Sequence, residues 1–265
     1  MDGPGDYLPR LADGRVDELF AGLPALMITG PRAAGKTTTA LRHARTVVHL
    51  DDELQAPAFR GNPDAALRAL PEPVLLDEWQ VVPGVLGAVK RAVDADFRPG
   101  RFVLTGSVRA RLEGEMWPAT GRVTPVHMAG LSVRELLRAS TTGTFLEKLA
   151  AGDMSAFKVP ANTPDLLGYI ELGLRSGFPQ AALARSARDR RALLDGYVDQ
   201  LLTRDVELVA APRASDRLRR YFEALALNSA GLPEHATLFG AAGINRMTAL
   251  AYYDLFMSLF VLDLL

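Results

Sequence analysis

Between an apolar run, Ala25-Leu26-Met27-Ile28-Thr29, and a helix-compatible stretch, Thr38-Thr39-Ala40-Leu41, the chain reads Gly30-Pro31-Arg32-Ala33-Ala34-Gly35-Lys36-Thr37. This satisfies G-x-x-x-x-G-K-[ST] in full, in the strand-then-helix context that gives the spacing physical meaning. Glycines let the backbone turn tightly and aim its N–H groups at an anion. The helix start adds partial positive charge, the lysine reaches β- and γ-phosphates, and the final hydroxyl can ligate Mg²⁺. The pattern predicts a phosphate-binding loop in which Gly30, Pro31, Arg32, Ala33, Ala34, Gly35, Lys36, Thr37 and Thr38 surround ATP and Thr37 reaches Mg²⁺. Lys36 stands out because only four of the 30 basic residues are lysines, the others being Lys90, Lys148 and Lys158.

A loop of this kind needs a sheet to carry it. Short apolar runs recur at 25–29, 46–50, 74–76, 101–105 and 123–128, with polar or helix-compatible segments between them. Buried parallel strands joined by crossover helices have this signature, so the expected class is α/β with five strands. Beyond about Ser132 the strand signal stops. Helical patterns follow at 132–139, 144–151, 164–174, 181–203 and 215–228, with Pro160, Asn162 and Pro164 marking a boundary. A chain of 265 residues has room for one large domain or a core with an appendage. Thirty basic and 31 acidic side chains nearly cancel, so no global field draws the protein to nucleic acid or anionic membrane. The lack of cysteine removes disulfides and thiolate chemistry. It also fits a reducing compartment, and the start carries no basic region followed by an apolar run; a cytoplasmic location is expected.

Val74-Leu75-Leu76-Asp77-Glu78 reads as the second half of the site. An apolar strand delivers two carboxylates at its C-terminal end, where ligands bind in open α/β sheets. Asp77 is expected in the Mg²⁺ shell, and Glu78 is expected to orient and deprotonate an attacking water. A strand at 46–50, ending before Asp51-Asp52, intervenes in sequence between the loop strand and the Asp-Glu strand. That arrangement marks the division of such proteins that uses a catalytic glutamate, and it argues against a small-molecule kinase. The strand at 101–105 ends in Thr105-Gly106-Ser107, hydroxyls placed where a γ-phosphate sensor would sit; Ser107 is preferred over Thr105.

Together, Gly-Pro-Arg-x-x-Gly-Lys-Thr-Thr, Leu50-Asp51-Asp52, Leu76-Asp77-Glu78-Trp79-Gln80, the stretch from Pro99 to Ser107, and Gly121-Arg122-Val123 resemble the prokaryotic AAA-type ATPases with an Asp-Glu-x-Gln signature, of the AAA_14/DUF4143 type. Ser176-Gly177-Phe178-Pro179 and 197–205 continue the resemblance. It implies a P-loop NTPase, AAA+-like core with strand order 5-1-4-3-2, followed by an α-helical lid and a partial winged helix. It further implies self-association, and an arginine finger at Arg122 that reaches a neighbouring subunit's γ-phosphate, with Arg109 and Arg111 as rivals. Gln80 matches the signature glutamine. The implied division is 1–158 for the ATPase core, 159–211 for the lid and 212–265 for the winged-helix segment. Relatives of this type run on into a further domain, so the resemblance predicts a chain that ends early.

Within the last segment, 236–248 reads as a helix, a glycine turn at Gly243 and a second helix. A helix that reads DNA presents Arg, Lys, Asn or Gln, whereas Met, Thr, Ala, Leu and Tyr follow Asn245-Arg246. A DNA or protein client through this helical region is the expected partner class. The apolar 249–265 contains Asp254 and Asp263 and falls short of a membrane span, so no membrane is expected; this end either docks on the protein or leads into a further part. The four histidines lack metal-ligand spacing. The leading reading is a Mg²⁺-dependent ATPase that couples nucleotide state to conformational change or assembly. The alternative is a nucleotide-dependent binding module with little hydrolysis.

Overall fold

The computed structural model describes residues 7–108, 121–138, 145–153, 163–206, 215–229 and 231–263. Arg109, Arg111, Pro160 and Asn162 lie outside the described residues. Five parallel strands form one sheet: β1 (Ala25–Thr29), β2 (Thr46–His49), β3 (Val74–Asp77), β4 (Phe102–Gly106) and β5 (Thr124–His127). Their order is β2-β3-β4-β1-β5, the expected 5-1-4-3-2 read from the other edge. β4 thus lies between β1 and β3, with Met27 opposite Leu104 and Leu104 opposite Leu76.

The apolar runs are continuous because both faces of the sheet are covered. Ala25 and Met27 point into one core with Val74, Leu76, Phe102 and Leu104, beneath α3 (Ala56–Gly61), α4 (Pro63–Arg68) and α5 (Val85–Ala95). Leu26 and Ile28 point the other way, joining Leu75 and Val103 under α1 (Ala12–Gly22) and α2 (Lys36–Leu41). This is the two-residue period of a strand displayed on two buried faces. Each fully buried Leu, Ile or Met contributes about 1.5–3 kcal/mol relative to exposure.

After β5 the described chain is helical: α6 (Val133–Leu136), α7 (Phe145–Ala150), α8 (Leu166–Arg175), α9 (Pro179–Ala182), α10 (Ala187–Gln200), a π-helical turn at Leu201–Asp205, α11 (Ser215–Leu227), α12 (His235–Ala242) and α13 (Arg246–Ser258). The single helix expected over 181–203 is divided, because the Ser186 side chain accepts from Asp189 N and starts α10 afresh. Leu201, Leu202, Leu218, Tyr221, Leu238, Tyr252, Leu255 and Phe256 share one core. The apolar end docks there, with Val261 and Leu262 packed against it. Gly243 takes the left-handed conformation that closes α12, and the Asn245 side chain accepts from Thr248 N to open α13, so the helix–turn–helix forms. Among the described residues no strand follows β5, and no wing accompanies that motif. No helix among them is long and apolar enough to cross a membrane.

Candidate functional site

The loop from β1 to α2 is shaped by backbone conformations that its sequence permits. Gly30 has φ 153°, and a Cβ there would run into the Met128 carbonyl beyond β5. Ala33 and Gly35 also have positive φ, 59° and 93°, which coil the loop between its two ends. Lys36, the first residue of α2, is buried and folds back so that Nζ donates to the Pro31 carbonyl over 2.8 Å. Burial pushes its ammonium below the ordinary lysine value, and the Glu78 and Asp77 carboxylates pull it part of the way back. Thr38 is exposed and Arg32 half-buried on the same loop.

The end of β3 faces this loop across β4. Asp77 is buried, and Oδ1 accepts from Thr37 Oγ1 over 2.8 Å and from Thr105 Oγ1. Its other oxygen lies 3.1 Å from His49 Nδ1, at the end of β2. Glu78 adopts φ 54°, which swings its side chain away from the strand direction, and its N–H donates to Thr105 Oγ1 over 3.3 Å. The Glu78 carboxylate accepts from Ser107 Oγ over 3.1 Å and from Gln80 Nε2. Gln80 Nε2 also donates to Ser107 Oγ over 3.3 Å. The strand order supplies the reason for these contacts. β4 neighbours both β1 and β3, so Thr105 near its end and Ser107 just past it reach Asp77 and Glu78 respectively. Gly106 between them keeps its α-carbon bare against Trp79, where a Cβ would lie 2.5 Å from the indole nitrogen.

The structure thus brings Lys36, Thr37, Asp77, Glu78 and Ser107 to one end of the sheet. Arg122 is elsewhere. It precedes β5 and therefore sits at the sheet's opposite end, where Nε donates to Asp94 Oδ1 over 2.6 Å. Sequence reasoning did not single out three side chains at the site. His49 has only its place at the end of β2 as a signal. Glu135 belongs to a capping box with Ser132, legible as Ser-x-x-Glu. Arg10 stands in Tyr-Leu-Pro-Arg, which matches no motif, yet its guanidinium is buried against the loop at Ala34.

The donor set fits a magnesium nucleotide. A hydroxyl and a carboxylate 2.8 Å apart are hard oxygen ligands of the sort Mg²⁺ takes, and the buried Lys36 ammonium has a carbonyl for its hydrogen-bond partner, a contact that a phosphate oxygen can replace. A parallel sheet in this order, with the loop after β1 and the acidic pair after β3, defines a P-loop nucleotide-binding protein. Residues 23–137 match the family described as an AAA domain. Residues 167–265 match the domain of unknown function DUF8612. The uncharacterized proteins Rv2008c of Mycobacterium tuberculosis and Mb2031c of Mycobacterium bovis are each 28% identical over 249 residues, 92% of this chain and 50% of theirs. The chain spans about half the length of these curated relatives. A solved structure, the Walker-type ATPase PABY2304 of Pyrococcus abyssi, aligns over 94% of this chain and 90% of its own with 15% identity and a TM-score of 0.47.

Proposed function

We propose that the protein binds ATP with Mg²⁺ at the loop 30–38 and hydrolyses it, using the change of nucleotide state to move or assemble its helical half. The observation that carries this reading is the pairing across β4, Thr37 and Thr105 on Asp77 and Ser107 on Glu78. Lys36 and the loop amides would hold the β- and γ-phosphates. Thr37 and Asp77 would hold Mg²⁺, which supplies charge neutralisation at the phosphates when bound. Glu78 would accept the proton of the attacking water, and Ser107, hydrogen-bonded to that carboxylate, would register whether a γ-phosphate is present.

Contacts between the loop and the helical half support the coupling to motion. The start of α9 lies against the loop, with Pro179 Cγ 3.7 Å from the position of a Gly35 Cβ, and the segment before it is tied to the stretch after β5, where Leu131 N donates to the Gly177 carbonyl over 2.5 Å. Phe178 packs against Tyr197 of α10 with ring centroids 4.4 Å apart and the rings tilted by 35°, which extends the contact into the helical half. A second reading, a nucleotide-dependent binding module with little hydrolysis, is favoured by one feature: Gln80 and Ser107 both occupy the carboxylate that hydrolysis requires.

Phosphate release from ATP tests the proposal, with wild type compared against Lys36→Ala and against wild type in excess EDTA. Release that needs both Lys36 and the divalent cation supports it. Nucleotide binding with release no faster than in Lys36→Ala supports the second reading, and absence of nucleotide binding overturns both.

A further inference from the structure

Arg10 lies upstream of the matched AAA segment, and its three donor groups reach three separate stretches of chain. Nη1 donates to the Ala34 carbonyl over 2.7 Å, Nη2 to the Ala129 carbonyl over 2.8 Å, and Nε to Glu135 Oε1 over 3.0 Å. Both members of the ion pair are buried, with side chains 6% and 4% exposed. Glu135 is itself fully engaged: Leu11 N–H donates to Oε1 over 2.6 Å, and Ser132 N–H and Oγ donate to Oε2 over 2.6 and 3.0 Å. A buried ion pair is a weak device for stability, since an apolar pair of similar volume often serves as well. What an arginine fork adds is fixed geometry at several acceptors together.

The acceptor that matters is Ala34. It sits in the phosphate loop between Ala33 and Gly35, whose positive φ values set the loop's curvature. The peptide unit from Ala34 to Gly35 is planar and trans, so its C=O and N–H point in opposite directions. Holding the oxygen on Arg10 therefore aims the Gly35 N–H away from Arg10. Arg10 also packs closely on the loop: a Cβ on Gly35 would lie 3.2 Å from Nη1.

We propose that Arg10 is a positioning residue of the phosphate loop: Glu135 and the Ala129 carbonyl hold its guanidinium, and the guanidinium sets the Ala34–Gly35 peptide so that the Gly35 amide meets the β-phosphate of a nucleoside di- or triphosphate. This rests on the reading of the loop as a nucleotide site. It predicts that affinity for diphosphates depends on Arg10 separately from the stability of the fold.

The test is equilibrium binding of ADP, with Mg²⁺, to full-length wild type, Arg10→Lys and the double variant Arg10→Met with Glu135→Leu, each with its thermal midpoint and the hydrogen exchange of the Gly35 amide. Loss of a charge-assisted hydrogen bond that orients the loop should weaken ADP about tenfold in both variants. The apolar pair should keep a midpoint near that of wild type, and Gly35 exchange should rise in both variants. Arg10→Lys keeps a cation beside Glu135 and, should the double variant fail to fold, decides the matter alone. Wild-type ADP affinity and Gly35 protection in a folded variant would overturn the inference while leaving the nucleotide site intact. Failure of wild type itself to bind ADP would overturn the reading beneath it.

Discussion

Thr37 Oγ1 donates to Asp77 Oδ1 over 2.8 Å, a contact between the start of α2 and the end of β3 that crosses the intervening strand β4. The two groups that would share a magnesium ion are thus already adjacent. Asp77→Asn keeps the size of the side chain but removes its charge. It should leave nucleotide affinity in EDTA unchanged and reduce Mg²⁺-dependent phosphate release by about 10²-fold or more, the scale at which removing a preorganised electrostatic group acts. A Mg²⁺ titration of the rate in both proteins checks this.

Gln80 holds the carboxylate of Glu78 and the hydroxyl of Ser107 at once. Gln80→Ala should lower kcat by about 10–10²-fold through a loosened Glu78, since a small misplacement at a reacting centre can cost that much. KM should stay within a factor of about two, as none of the loop contacts changes. Steady-state kinetics separates the two parameters. A rise in kcat would mean that Gln80 restrains Glu78 rather than aims it.

Gly106 faces the Trp79 indole with no space for a methyl group. Gly106→Ala should destabilise the protein by about 1–3 kcal/mol, the usual cost of overpacking a filled site. Denaturant unfolding measures this directly. The displaced indole adjoins Glu78, so hydrolysis should fall as well.

Arg122 is held by Asp94 at the end of the sheet away from its own chain's loop. The remaining catalytic role for it is in a neighbouring subunit. If it acts there, specific activity rises with protein concentration and Arg122→Ala abolishes the rise; a finger in trans can be worth about 10³–10⁵ in rate. A concentration-independent rate, equal in the variant, assigns Arg122 to the Asp94 ion pair alone.

Burial by itself would raise the Glu135 carboxyl, but the amide N–H groups of Ser132 and Leu11, together with the Arg10 charge, hold it below the ordinary glutamate value of 4.5. A carboxylate depressed in the folded state adds stability above its unfolded pKa and loses it as pH falls through the folded value. The thermal midpoint of wild type should therefore drop more steeply below pH 4.5 than that of Glu135→Gln. The variant should start from a lower midpoint at neutral pH. Calorimetry across that range reads both.

Much of the architecture was legible because its determinants are local. Residues 25–29 and 74–76 are apolar runs buried on both faces, and Gly30 to Thr37 has a spacing that backbone geometry enforces. The strand order came from resemblance rather than periodicity, since nothing local says that β4 slots between β1 and β3. The pairing of Arg10 with Glu135 was illegible for a related reason. Their bond joins positions 125 residues apart, and one surface-like arginine among 26 carries no local mark of burial. The break between α9 and α10 was written locally, in Ser186 and Asp189, but the surrounding helix formers masked it.

Glu78 is the residue on which hydrolysis at the loop-bound nucleotide depends in the proposed function. Glu78→Gln, which keeps the shape and removes the base, tests it in one measurement of bound nucleotide and released phosphate from radiolabelled ATP under single-turnover conditions. The variant should retain ATP with affinity near that of wild type and release phosphate about 10²–10⁴-fold more slowly, the usual contribution of a general base. Release at the wild-type rate from a variant that binds ATP normally would contradict that role for Glu78.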